Sequence, residues 1–320
     1  MIQPIFIFSL PRSGSTLLQK ILTTHSEIET TAEPWILLPY IYAQKDTGIQ
    51  AIYDQHLCSE AITDFIQQLP QREDDYLYEL REFILRLYSK QISNKNTIYF
   101  IDKTPRYYYI IPEIIKTFPD AKFIFLFRNP LSIISSIISS WTNNTFNIYK
   151  FKEDFDYGFK TLVRNYHRFK NKSIMLYYED LILNPDVDLQ KIFDYLNLEY
   201  NKEVIEQFNE INFEGSKGDK NRKGYQYISS QNLKKWKNTF NSKFRKAYAK
   251  KYLHKINKEL NEIGYNKTEI IHDLNNTKNK YISFDRFIYF YGVLVTKVKK
   301  ILWDLNAMKI YNFFRKINKS

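Results

Sequence analysis

The stretch that most constrains this chain runs from Ile5 to Glu33, IFIFSLPRSGSTLLQKILTTHSEIETTAE. Ile5, Phe6, Ile7 and Phe8 form a short β-prone apolar run, and Leu17, Leu18, Ile21 and Leu22 then repeat at helical spacing. Between them, Pro11-Arg12-Ser13-Gly14-Ser15-Thr16 leaves room only for a tight turn, with Gly14 where the backbone must bend. A strand that breaks through such a turn into a helix leaves the N–H groups of Ser13, Gly14, Ser15 and Thr16 pointing outward. The positive end of the helix dipole lies behind them, which suits phosphate or sulfate oxygens. An ATP-binding loop requires Gly-x-x-x-x-Gly-Lys-Ser/Thr, and here Ser15 follows Gly14. Taken alone, the segment still reads as an anion site, as a variant ATP loop, or as a plain strand-to-helix connection.

Further strands end in chemistry. Residues 97–101 form an apolar run that leads into Asp102-Lys103-Thr104-Pro105, and residues at the carboxyl end of a strand in an open α/β sheet lie where ligands bind. Asp102 suits the Mg²⁺-holding acid of an ATP enzyme or an ion pair with a neighbour. Lys103 offers a compact ammonium to a transferring anionic group. Lys122 to Phe127 is the clearest strand and is followed by Arg128-Asn129-Pro130 and a helix to about Trp141. Proline suits a helix start, and an arginine at a strand end offers a rigid fork to a phosphate. Ser136 lies two helical turns along that helix. Ser173 to Tyr177 is the next strand and leads into Tyr178-Glu179-Asp180-Leu181. Residues 50–69 and 73–92 carry helical apolar spacing and are read as the acceptor side.

At 320 residues the chain can bury a sizeable core. Its one cysteine, Cys58, excludes an internal disulfide and fits a reducing compartment. Residues 1–10 read as a core strand rather than a secretory leader, and no apolar run approaches the roughly 18 residues of a membrane span. The expectation is a cytoplasmic protein, soluble or peripheral on the inner face of a membrane. The formal charge of +12 invites a polyanion reading. However, residues 281–320 hold eight Lys or Arg against two Asp, half of that net charge, so no nucleic acid is expected as a partner. Apolar residues recur at helical spacing from Phe284 to Leu305. Such a stripe packs on the domain, pairs with a second subunit, or lies on an anionic membrane. Packing or pairing is the commoner use of a stripe and is the favoured expectation.

The ordered segments PRSGSTLL, Glu33, DKTP, FIFLFRNPLSIISS, YEDL and the Trp236 region resemble the sulfotransferases that use 3′-phosphoadenosine 5′-phosphosulfate (PAPS). The resemblance covers residues 5 to about 240. It implies an α/β fold with a P-loop-kinase-like parallel β-sheet flanked by helices, followed by a C-terminal amphipathic helical extension. The domains are then residues 1–265 and residues 266–320. It also implies that PAPS is held by Arg12, Ser13, Gly14, Ser15 and Thr16, by Arg128 and Ser136 at the 3′-phosphate, by Tyr178 at the adenine, and by Lys235 beside Trp236. No metal is required. The Arg222-Lys223-Gly224 element is similar to one in cytosolic sulfotransferases but stands farther from Trp236 than theirs does.

In the cytosolic branch a histidine base lies two residues after the lysine matched by Lys103, and that position is Pro105 here. The branches acting on glycans and on protein tyrosine use a glutamate, and 21 residues beyond Arg12 stands Glu33. The resemblance therefore makes Glu33 the general base, with Lys103 and Arg12 catalytic beside it. His25 is the competing base. The expected reaction moves a sulfuryl group from PAPS to an acceptor hydroxyl, with a glycan or glycolipid as first choice and a peptide tyrosine or phenol open. The rival readings are an ATP-dependent P-loop kinase, supported by Asp102, and a non-catalytic polyanion- or membrane-binding protein, supported by charge. A homodimer or a peripheral membrane contact through residues 281–320 completes the expected partners.

Overall fold

Five apolar runs set the architecture, because strands covered on both faces read as continuous hydrophobic stretches. In the computed structural model they become β1 (Gln3–Ser9), β2 (Ile28–Thr30), β3 (Tyr99–Asp102), β4 (Lys122–Phe127) and β5 (Ser173–Tyr177). The structure describes residues 2–49, 51, 53–213, 228–279 and 284–304. All strand pairs are parallel, in the order β2-β3-β1-β4-β5. The central strand β1 buries Ile5, Phe6, Ile7 and Phe8 almost completely. Side chains two apart share a face of a strand, so Phe6 and Phe8 meet Phe123 of β4 with ring centroids 6.0 and 5.9 Å away. A buried phenylalanine of this kind loses about 3–5 kcal/mol of stability when cut to alanine.

The helices are α1 (Ser15–Leu22), α2 (Leu37–Tyr42), α3 (Gln55–Gln67), α4 (Glu73–Gln91), α5 (Ile111–Thr117), α6 (Pro130–Trp141), α7 (Phe159–Phe169), α8 (Tyr178–Leu183), α9 (Pro185–Leu196), α10 (Glu203–Gln207), α11 (Trp236–Thr239), α12 (Lys243–Lys255), α13 (Asn257–Glu262), α14 (Lys267–Asn275) and α15 (Asp285–Asp304). The chain divides into two compact units. The first comprises Met1–Arg128 and Thr161–Ser230 and holds the whole sheet. The second comprises Asn129–Lys160 and Gln231–Ser320, so α14 and α15 share a unit with α6, α11, α12 and α13.

In the first unit, α1 is buried throughout, with Leu18, Ile21 and Leu22 sealed against solvent. Gln19 on this helix donates to Thr30 Oγ1 at 2.7 Å and to the Thr31 carbonyl at 2.8 Å. Thr30 in turn donates to the Ile101 carbonyl at 2.8 Å. These bonds hold the segment leading to Glu33 beside the end of β3.

In the second unit, α6 starts at Pro130 and is capped by Asn129, whose side chain accepts from the N–H groups of Leu131 and Ser132. Helix α15 docks through polar and aromatic anchors rather than through its apolar stripe. Arg245 of α12 donates from Nε and Nη2 to the two carboxylate oxygens of Asp285, both at 2.8 Å. Tyr289 packs among Phe146, Phe244 and Tyr248. The stripe, expected to pack on the domain or to pair with a second subunit, does not pack within the chain's described residues and leaves Phe284, Phe287, Tyr291, Leu294, Val298 and Ile301 exposed. The docking face was hard to read because its strongest element is an ion pair formed over 40 residues. Among the described residues no helix is long and apolar enough to cross a membrane.

Candidate active site

β1 ends at Ser9 and the chain turns through Arg12, which takes a positive φ of 67°, and Gly14, with a φ of 92°. A left-handed backbone suits glycine, and Gly14 has a second reason to lack a side chain: a Cβ there would collide with the ring of Tyr178. Gly14 caps α1 with no side-chain hydrogen bond, so no capping side chain covers the N–H groups of Ser15 and Thr16, while Leu17 and Leu18 donate to the Gly14 carbonyl at 3.0 and 3.2 Å. One expectation is corrected here. The Ser13 N–H does not point outward; it closes the turn on the Leu10 carbonyl at 3.2 Å. Ser13 presents its hydroxyl instead, buried and without a partner among the described residues.

Side chains at the carboxyl ends of β3, β4 and β5 converge on this loop. Lys103, just beyond β3, is almost sealed, with 2% of its side chain exposed. Its ammonium donates to Glu33 Oε1 at 2.8 Å and to Thr16 Oγ1 at 3.3 Å. The other Glu33 oxygen accepts from Trp35 Nε1 at 3.3 Å. Arg128, at the end of β4, donates from Nη1 to the Arg12 carbonyl at 2.9 Å. Its guanidinium lies 4.1 Å from the centroid of the Tyr178 ring, close enough for cation–π attraction. Burial raises the Tyr178 phenol above its ordinary pKa, and the charges of Arg128 and Arg12 pull the other way.

The residues fit an anionic phosphosulfate group by an observation independent of resemblance. Ser13 Oγ and Arg128 Nε are both buried with no partner among the described residues, and they sit in one unit with an uncapped helix start. Buried donors left unpaired cost free energy that an anionic oxygen repays. Ser13, Gly14, Ser15, Thr16, Lys103 and Arg128 are the residues that would hold the group.

Asp102 has a different part from the one an ATP enzyme would give it. Asp102, the last residue of β3, turns away from the loop that Lys103 faces. Asp102 is fully buried and accepts from the hydroxyls of Tyr88 at 2.6 Å and Tyr107 at 2.9 Å. Burial pushes its carboxyl up to about 6, while the tyrosine and Thr104 hydroxyls and the Lys103 charge oppose the rise. The same cluster reaches the segment that follows Glu33: Thr104 Oγ1 accepts from the Trp35 N–H at 3.3 Å, and Tyr107 Oη from the Leu37 N–H at 3.4 Å. Trp35, held at a positive φ of 58°, was not among the expected site residues. Its signal was only its place two residues after Glu33. Tyr88 and Tyr107 carried no sequence signal of this role.

His25 takes a local structural part, its Nδ1 accepting from the Glu27 N–H at 3.2 Å and its ring packing on Phe193. Ser136 on α6 and Lys235, the exposed residue before α11, belong to the second unit. In that unit the Ser132 hydroxyl is buried without a partner among the described residues, and Ser135 bonds Thr239 at 2.6 Å. Arg222, Lys223 and Gly224 lie outside the described residues.

Comparisons with known proteins bear on the family and the fold. Residues 4–202 match the sequence profile of the sulfotransferase family. The nodulation protein NoeE of Sinorhizobium fredii is 31% identical over 137 residues, 42% of this chain and 31% of that protein. Protein-tyrosine sulfotransferase 1 of Danio rerio is 25% identical over 206 residues, 63% of this chain and 55% of that protein. The chain thus spans about a third and about half of these two relatives. Among solved structures, the sulfotransferase domain from the curacin biosynthetic pathway aligns with a TM-score of 0.54 at 18% identity, over 83% of this chain and 99% of that domain. That likeness supports the P-loop-kinase-like parallel sheet. With its profile matched over well more than half of its length, the chain belongs to the sulfotransferase family.

Proposed function

We propose that this protein transfers a sulfuryl group from PAPS to an acceptor hydroxyl, with Glu33 as general base and a carbohydrate as acceptor. The observation that carries the reading is the Lys103 ammonium, which touches both the anion-loop hydroxyl of Thr16 and the Glu33 carboxylate. PAPS, when bound, supplies an activated sulfuryl group on a phosphate leaving group. Lys103 spends two of its three donors on protein atoms and is fixed between the loop and the base. Glu33 is held at both oxygens, so its remaining lone pairs are oriented to accept a hydroxyl proton as the new bond forms. Arg12, Arg128 and the start of α1 spread the developing negative charge on preorganised donors, which cost no reorganisation during reaction.

The carbohydrate acceptor is supported by large aromatic surfaces in the first unit, where Tyr40, Tyr53, Phe65 and Tyr78 are exposed on or near α2, α3 and α4. Flat aromatic faces stack on the apolar faces of sugar rings. A second reading, transfer to a tyrosine hydroxyl in a peptide, is supported by relatives named as protein-tyrosine sulfotransferases. An acceptor panel with radiolabelled PAPS separates the two. Label on oligosaccharide or glycolipid and none on acidic tyrosine peptides is the expected result. Label on the peptide alone overturns the carbohydrate reading, and no label on any hydroxyl overturns the transfer itself.

A further inference from the structure

We propose that the outward face of α15 docks on an anionic lipid bilayer. The helix has two faces with opposite constructions. Asp285, Tyr289, Gly292 and Thr296 follow one another at spacings of four, three and four residues, which places them along one side. That side is docked: Asp285 is 1% exposed in its bidentate pair with Arg245, and a Cβ on Gly292 would collide with the Asn147 side chain. The opposite side carries Phe287, Tyr291, Leu294, Val298 and Ile301 at spacings of four and three, with Phe290 beside them. Phe287 is 69% and Leu294 60% exposed, on a helix whose other side is held by a buried ion pair. Monomeric proteins rarely leave a continuous apolar stripe of this length open to water.

Charge identifies what covers it. Arg286 and Lys297 border the stripe and are exposed, and Lys299 is half-buried. Among the described residues, the acid Asp285 is neutralised inside the unit and presents nothing to the outside. A second copy laid parallel on the same face would set Arg286 against Arg286 and Lys297 against Lys297, a juxtaposition that disfavours association. A surface of anionic headgroups over an acyl layer answers both features. A 20-residue helix about 30 Å long would lie in its plane with aromatic and aliphatic side chains at the headgroup boundary.

The test uses the full-length protein with vesicles of phosphatidylcholine alone and of phosphatidylcholine mixed with phosphatidylserine. Each basic residue near the surface contributes about a fivefold gain on anionic lipid, so with Arg286 and Lys297 the mixed vesicles should bind up to about twenty-fivefold more tightly at low salt. The gain should shrink as salt is added. Phe287→Ser with Leu294→Ser should abolish binding to both vesicles while leaving the melting temperature unchanged, since both side chains are exposed. Arg286→Gln with Lys297→Gln should remove most of the anionic preference and spare the residual neutral binding. The proposal is overturned if the protein ignores anionic vesicles at low salt or binds both kinds equally. It is also overturned if sedimentation shows a dimer that the Phe287→Ser, Leu294→Ser variant dissolves, because a second copy then covers the face.

Discussion

Replacing Glu33 by glutamine keeps the side-chain shape and removes only its charge, which isolates what the carboxylate does. In the wild type it faces an ammonium at 2.8 Å whose side chain is 2% exposed, and it is itself 12% exposed. Removing one partner of a buried pair costs about 3–5 kcal/mol, because the other charge is left uncompensated. Glutamine still accepts from Lys103, so the low end, about 3 kcal/mol, is expected. At roughly 2 °C per kcal/mol for a chain of this size, the melting temperature should fall by about 6 °C. The unpaired Lys103 charge is then free to meet an anionic ligand, so adenosine 3′,5′-bisphosphate should bind at least as tightly as before and restore part of the lost stability. Turnover should fall by about 10² or more, as for loss of a general base. Calorimetry with and without the bisphosphate, together with a sulfuryl-transfer assay, reads all three quantities. A variant that melts at the wild-type temperature, or that turns over within tenfold of it, would refute the reasoning.

Other perturbations test neighbouring parts of the site. Arg128→Ala should weaken binding of adenosine 3′,5′-bisphosphate by about 1.5–3 kcal/mol, the worth of a charge-assisted hydrogen bond. It should weaken adenosine 5′-phosphosulfate less, since that ligand lacks the 3′-phosphate, and equal losses in titration calorimetry would remove Arg128 from the 3′ position. Gly14→Ala should lose bisphosphate binding and thermal stability together, because it meets both a φ of 92° and the Tyr178 ring. Adding Tyr178→Ala should recover part of the stability, and a silent Gly14→Ala would contradict the contact. For Asp102 the sign follows from its raised pKa: between about 4 and about 6 the folded carboxyl holds a proton that the unfolded chain releases. Stability from this group is therefore fully present below about 4 and is lost as pH rises through about 6, by about 3 kcal/mol in all. Denaturant titrations of wild type and Asp102→Asn should show a difference that tilts across this window, and a pH-independent difference would contradict it.

The first unit was legible because its signals are local. The runs IFIF and KFIFLF could only be buried strands, and Gly14 marked the turn. The Glu33 position followed from the family's spacing, and its pairing with Lys103 over 70 residues needed the sheet to bring β3 beside the chain leaving α1. Asp102 kept the ATP-enzyme reading open because sequence does not say which of two adjacent residues turns to the loop. The outcome depended on Tyr88, which stands on α4. Gly14 meeting Tyr178 was hidden for the same reason, since the two are brought together by the pairing of β1 and of β5 with β4. The α15 stripe was visible, but its exposure was decided by Arg245 and Asp285, a pair that periodicity does not register.

The central claim is that the loop after β1 and the arginine after β4 receive a 3′-phosphorylated adenine nucleotide. Thermal stabilisation by adenosine 3′,5′-bisphosphate, measured beside ATP with Mg²⁺ and beside heparin, tests it most directly. At about a hundred times its dissociation constant the bisphosphate should stabilise the fold by about 2.7 kcal/mol, while ATP with Mg²⁺ and heparin leave the melting temperature unchanged. Stabilisation by ATP with Mg²⁺ or by heparin, with none from the bisphosphate, would contradict the account.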